Sequence, residues 1–384
     1  MNASLNGIRV LDVTQVMAGP FCAMLLCDMG ADVIKVEAPL GDSSRRMAGA
    51  EGSDSPAFNA VNRGKRGTVI DIKTEKGREI VTKLASTADV LIENYRPGVL
   101  ARNGLGWDRL RVDNPALIYA SISAYGQTGP RAQEGGFDLT VQAMSGIMSV
   151  TGEPGGPPVK CGVPLADFSA GLYAAYSVAS ALRAAEATGE GTHIDVPMLG
   201  ATLGIAALQT SEYFGSGRDP LKLGSAHPRN APYQAFAARD GYFGMAAGND
   251  ALWHKVCAVV DKPEWIDDAR FASPTLRAEH QGELRAMLEA IFAEADSETW
   301  LTRFREAGVP CAPINSYSQV LDDPQVEHMG WVQPLDLPNG VSTRTFGSPV
   351  RFSGAGQAVR RAPPQLGEHT DEVLAELGRA RAST

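Results

Sequence analysis

A chain of 384 residues is too long for one small core and calls for two domains, or for one large domain carrying an insertion. Its make-up, 44% hydrophobic and 21% charged, is that of an ordinary globular protein, and a net charge of -9 gives a nucleic-acid surface no global support. No apolar run reaches the roughly 18–20 residues that a bilayer span requires, so neither a membrane nor a nucleic acid is expected as a partner.

The N-terminus, MNASLNGIRVLDVT, lacks the basic-then-apolar layout of a secretory signal, which predicts a cytoplasmic protein. IRVLDVT (8–14) reads as a buried strand, FCAMLLCDMG (21–30) as a helix ended by Gly30, and DVIKVEAP (32–39) as the next strand. The cycle repeats with the strand RGTVIDIK (66–73), the helix TEKGREIVTKLASTA (74–88) and the strand DVLIENY (89–95). A further strand, LIYASISAYG (117–126), follows. This alternation predicts an α/β fold with a doubly wound, Rossmann-like sheet, which binds ligands beyond the carboxyl ends of its strands. The turn after the first strand is QVMAGP rather than GxGxxG, so NAD and FAD are not expected.

YQAFAARDGYFGMAAG (233–248) reads as a hairpin and LEAIFAEADSETWLTRFREAGV (288–309) as helix. The predicted division is a large Rossmann-like domain over 1–224, a small α+β domain over 225–325, and a segment, 326–384, that returns to the large domain. Near the end, TDEVLAEL reads as a helix. The five cysteines, Cys22, Cys27, Cys161, Cys257 and Cys311, form no CxxC pair, and the odd count argues against a disulfide framework. Cys22 and Cys27 are expected to be buried thiols on one helix. The six histidines show no ligand spacing, so no metal is expected.

GVPLADFSAG (162–171) places a single carboxylate, Asp167, among small and apolar residues. An Asp just before a helix is commonly an N-cap. The same helix end, through its free N–H groups and dipole, would keep the carboxylate ionised in apolar surroundings, as a nucleophile for an acyl carbon requires. Gly162 and Gly171 would admit a ligand closely. GDSSRRM (41–47) with Arg45 and Arg46, NRGKRG (62–67) and NYRPG (94–98) put basic groups near successive strand ends. They are either solvated loop charges or a local anion site suited to a nucleotide with several phosphates.

Seven ordered blocks, GIRVLDVTQVMAGPFCAMLLCDMGADVIKVE, ENYRPG, YGQTGP, GFDLTVQAMSGIMSVTG, GVPLADFSAGLYAA, DGYFGMAAGND and PPQLGEHTDEVL, resemble the family III CoA-transferases, also called the CaiB/BaiF family. The resemblance implies a Rossmann-like large domain plus a small α+β domain, in ring-shaped protomers threaded into an interlocked homodimer. It implies that Asp167 is the catalytic nucleophile, working through an aspartyl mixed anhydride and an aspartyl-CoA thioester. It places Gln15 at the thioester, Lys73, Asn94 and Arg102 on CoA, and Arg45, by charge, toward the ADP phosphates. Coenzyme A and acyl-CoA would then be substrates, together with a carboxylic acid, with no tightly bound cofactor.

Two departures from the family pattern matter. Where formyl-CoA:oxalate transferases carry a run of glycines, this chain has GSAHPRNAPYQAF (224–236). That loop looks more like members moving CoA between succinate and C4–C6 acids such as mesaconate, itaconate, citramalate or glutarate, with formyl-CoA:oxalate transfer as an alternative. Arg46, His227 and Arg229 would meet a distal carboxylate, or His227 and Arg229 merely fix the loop. Related 2-methylacyl-CoA racemases need a His where this chain has Phe137, which cannot move a proton. A non-catalytic CoA-binding protein remains the reading in which Asp167 is only a cap.

Overall fold

The five strands predicted in the first third of the chain form, and a sixth joins them. β1 (Arg9–Asp12), β2 (Asp32–Glu37), β3 (Arg66–Val69), β4 (Val90–Glu93), β5 (Ile118–Ser123) and β6 (His193–Pro197) pair in the order β3-β2-β1-β4-β5-β6. Every pairing is parallel. The computed structural model describes residues 4–49, 54–353, 355–356 and 358–380.

Both faces of the sheet are covered, which is why its central strands are nearly continuous apolar runs. Val10, Val33, Val90 and Ile92 point into a core shared with α1 (Ala18–Asp28), while Leu11, Ile34 and Leu91 point into the opposite one. The helices α2 (Pro56–Asn62), α3 (Glu75–Ala85), α4 (Val99–Arg102), α5 (Trp107–Asp113), α6 (Asp138–Met144) and α7 (Ile147–Val150) follow in the chain. After them come α8 (Leu165–Thr188), α9 (Met198–Ile205) and α10 (Ala207–Ser216). α1 begins three residues before the predicted start, and Gly30 beyond its end takes a left-handed φ of 108°. Cys22 and Cys27 lie buried on it; burial pushes the Cys27 thiol up to about 11, with Asp28 adding to the rise.

The chain clusters into two units. The first holds Met1–Ile147, Lys160–Arg218 and Pro324–Thr384; the second holds Met148–Val159 and Asp219–Asp323. In the second, β7 (Tyr233–Ala238), β8 (Gly241–Ala246) and β9 (Cys311–Pro313) form an antiparallel sheet around an aromatic core of Phe236, Phe243, Phe292 and Phe304. The single helix predicted over 288–309 is two, Gln281–Phe292 and Ser297–Glu306. Trp300 folds back so that its indole N–H donates to the Phe292 carbonyl at 2.9 Å, a tertiary contact stronger than the local helical preference. In the first unit, the C-terminal helix Thr370–Ala380 is held by Arg66, which pairs with Glu372 and Glu376.

Candidate active site

The strand order reverses between β1 and β4, and a doubly wound sheet opens a crevice at that switch point. Three loops leave the sheet there. Gln15, Val16 and Met17 follow β1, Asn94, Tyr95 and Arg96 follow β4, and Ser123 and Ala124 close β5. Together with Phe137, Met198 and Asp167 they line a cleft of about 360 Å³.

The turn after β1 is held by side chains from its neighbours. The Thr14 N–H and hydroxyl both donate to Asp12 Oδ1. Lys35 Nζ donates to the Thr14 carbonyl at 3.1 Å. Asn94 clamps the Gln15 peptide from both sides, accepting from its N–H at 2.8 Å and donating to its carbonyl at 2.7 Å. Val16 N–H donates to both oxygens of Asp42, at 3.1 and 3.2 Å. This dense grip is needed because Val16 has φ 68°, a left-handed conformation that costs a β-branched residue on the order of 1–3 kcal/mol. The turn leaves the Gln15 amide pointing along the cleft, its Nε2 donating to the Tyr95 hydroxyl at 3.0 Å.

Beneath the turn lies a buried ionic network. Lys65, fully buried, donates to Asp12 Oδ2, the Pro20 carbonyl and Asn62 Oδ1 at 2.8–2.9 Å, which uses all three of its hydrogens. Lys35 pairs with Asp42 at 3.1 Å. Burial alone would lift the Asp12 carboxyl, but Lys65 and Lys35 hold it below the usual carboxylate range. Burial works against the Asp42 charge too, and Lys35 with the Ser44 donors outweighs it, again lowering the pKa.

Asp167 sits in different surroundings. It is the third residue of α8, behind the N-cap position Pro164, and not the N-cap itself. The free N–H of Ala166 is taken instead by Asp138 Oδ1 at 2.9 Å, so a residue 28 positions upstream does the capping. Asp138 Oδ2 accepts from Gln142, whose own amide oxygen accepts from the Cys161 N–H. Among the described residues the Asp167 carboxylate has no hydrogen-bond or ion-pair partner. Burial, reinforced by the nearby Asp138 charge, pushes it up to about 7. The expectation that the helix end keeps it firmly ionised is thereby corrected. Phe168 beside it packs on Phe21 of α1 with ring centroids 4.6 Å apart.

Of the other residues singled out in the sequence, Gln15 and Asn94 share the cleft with Asp167. Asn94 spends its amide on the Gln15 backbone. Arg45 is not at an anion site. It is buried, grips Glu37 in a bidentate pair, also meets Asp54 and the Pro364 carbonyl, and lies 3.7 Å from the Phe58 ring centre. Its neighbour Arg46 is exposed and donates to the Leu40 carbonyl. Lys73 and Arg102 are exposed past the ends of β3 and β4.

His227 and Arg229 belong to the second unit. The His227 Nδ1 accepts from the Arg229 and Asn230 N–H groups at 3.1 Å, and its ring stacks on Tyr233 at 5.1 Å. The ring thereby fastens its own loop. Gly171 does not face a ligand: a β-carbon there would meet the Ala18 carbonyl of α1. Gly162 is open. Sequence reasoning missed Asp138 and Tyr95, whereas the basic group it read in NYRPG, Arg96, does line the cleft. Tyr95 stands inside the quoted ENYRPG block and Asp138 inside GFDLTV, so both were within reach.

Residues 5–370 match CoA-transferase family III. The chain is 41% identical over 381 residues to a succinate–glutarate CoA-transferase of Agrobacterium fabrum, covering 97% of this chain and 95% of that one. It is 39% identical over 380 residues to an acetyl-CoA:oxalate CoA-transferase of Acetobacter aceti, covering 98% and 96%. The crystal structure of a CAIB/BAIF family protein from Brucella suis superposes with a TM-score of 0.87 at 40% identity, over 98% of this chain and all of that one.

Proposed function

The chain belongs to CoA-transferase family III and is an enzyme of the CoA-transferase type, and from that premise we propose that it moves CoA from succinyl-CoA to a C5 dicarboxylic acid of the glutarate class. The observation that carries this reading is the Asp167 carboxylate, without a partner among the described residues and poorly solvated in the switch-point cleft. Its ionised oxygen attacks the acyl carbon of the donor, the C–S bond breaks, and a mixed anhydride and CoA thiolate form. The thiolate attacks the aspartyl carbonyl and expels the donor acid, which carries away an Asp167 oxygen. The acceptor carboxylate then attacks the aspartyl-CoA thioester, and the thiolate takes the new acyl group from the second anhydride. No proton is moved in any step, so no Ser–His pair is needed.

Gln15 faces the carrier as an amide that can donate to the developing oxyanion. Arg96 supplies positive charge at the cleft wall, and Lys73 and Arg102 are basic groups available to the ADP phosphates. The glutarate class follows from the Agrobacterium relative's name and from the HPRNAPYQAF loop. The Acetobacter relative's name supports oxalate as the competing acceptor. Phe137, 75% exposed at the cleft, offers no base for racemisation. Asp167 is not the helix N-cap, which removes the ground for a purely capping role.

A homodimer fits the apolar face left exposed on α8–α10, where Leu172, Tyr176, Leu208 and Phe214 are 54–81% accessible. No helix among the described residues is long and apolar enough to cross a membrane. The test is turnover with an ¹⁸O-labelled acceptor carboxylate. Label should accumulate in the peptide containing Asp167; label confined to substrates and products would remove Asp167 from the chemistry.

A further inference from the structure

We propose that Asp42 is a positioning residue for transfer: acting through the strained Val16, it holds the turn that presents Gln15 to the acyl group on Asp167. This rests on Asp167 as the carrier.

Val16 cannot keep φ 68° by itself, because its branched side chain disfavours the left-handed region. Such a conformation persists only where surrounding contacts over-determine it. Asp42 is suited to that task. It is 2% exposed, its own N–H is fixed on Glu37 Oε2 at 2.9 Å, and it caps the short helix Ser43–Arg46 by accepting from the Ser44 N–H and hydroxyl. Among the described residues, Val16 N–H and Lys35 complete its set of donors. Lys35 in turn joins Asp42 to the Thr14 carbonyl, so the loops after β1 and β2 are tied at two points. The chain of support ends at Arg45, whose bidentate grip fixes Glu37. Arg45 thus serves the site through Glu37, which accounts for a buried arginine committed to carboxylates of the fold.

If Val16 relaxed to negative φ, its N–H would leave Asp42 and the Gln15 peptide would rotate between the two arms of Asn94. The Gln15 amide would then lose the Tyr95 hydroxyl and its aim along the cleft. Displacement of a catalytic amide by about 1 Å can cost on the order of 100-fold in rate.

The experiment compares Asp42→Asn, Val16→Gly and the double variant in CoA exchange, alongside their crystal structures. Asp42→Asn should lower kcat by about 10–100-fold while the donor KM stays within about twofold. Glycine adopts the left-handed region freely, so the double variant, read against Val16→Gly alone, should recover at least about tenfold of that loss. If Asp42 only keeps Lys35 partnered, the double variant stays as slow as the single one, and the proposal falls. Where Asp42→Asn alone does not fold, pairing it with Lys35→Met removes both charges and supports the same comparison. The crystal structures decide independently of activity. Val16 should leave φ 68° in Asp42→Asn, and an unchanged torsion overturns the positioning role even if no acyl-CoA is turned over. A wild type that exchanges no CoA refutes the transferase reading alone.

Discussion

Asp12 and Asp42, beneath the turn after β1, are buried against lysines at 2.8 and 3.1 Å and accept several further hydrogen bonds. Among the described residues Asp167, across the same cleft, has no ion-pair or hydrogen-bond partner, and the charge that acts on it is another carboxylate, Asp138. The first pair is held ionised below the usual range, and the second group is pushed up to about 7. Counter-charges turn a buried acid into a fixture of the fold, whereas leaving one unmatched keeps its lone pairs for an incoming acyl group. Lys65 and Lys35 neutralise the carboxylates under the turn, while among the described residues none pairs with the nucleophile.

The sharpest break in this contrast is Asp167→Asn. It should cut CoA exchange by roughly 1000-fold or more while the protein folds, checked by mass spectrometry of the exchange products with deamidation excluded. Lys65→Met tests the other side: leaving Asp12 buried without its ion-pair partner should cost about 3–5 kcal/mol of stability in urea unfolding.

The nucleophile should behave oppositely. Its folded pKa, about 7, lies above the unfolded value near 3.8, so its contribution to stability is present below pH 4 and lost as pH rises through 7. Asp167→Asn should therefore be more stable than wild type above pH 7, by on the order of 4 kcal/mol, and equal to it near pH 4. In the free enzyme, kcat/KM should rise with pH through about 7 as Asp167 ionises. Burial also pushes Glu93 up to about 7, so two variants are needed to assign the limb. Asp138→Asn should move it to lower pH, and Glu93→Gln should leave it in place. Smallest of all, Glu186→Ala removes an exposed pair with Arg183 and should change stability by less than about 0.5 kcal/mol.

The sheet was legible because buried strands announce themselves as apolar runs. β6 was not legible: His193 and Asp195 interrupt it with polar side chains at the edge of the sheet. The start of α1 was missed because Met17 offers no capping side chain. At the site, the lone Asp and its block could be read, but its cap could not, since Asp138 reaches Ala166 through tertiary structure. Arg45 misled for the same reason. A basic residue in a polar loop looks solvated until Glu37 and Asp54 are seen to close on it.

Gly171 has a consequence for how such an enzyme could be altered. A β-carbon there would stand 2.8 Å from both the Ala18 carbonyl and the Phe21 ring, inside any tolerable contact. The helix bearing Asp167 and the helix that follows Gln15 therefore abut through main chain, with no side chain as a spacer. Their separation acts as a fixed gauge, set by an atom that is missing. Trimming wall residues such as Met198 or Ile122 can deepen the cleft but cannot widen this gap. An alanine at 171 would act as a shim, prising the helices apart by roughly half an ångström. Selection for longer or shorter acids is thus free to act on the walls, while this gauge stays closed to gradual adjustment.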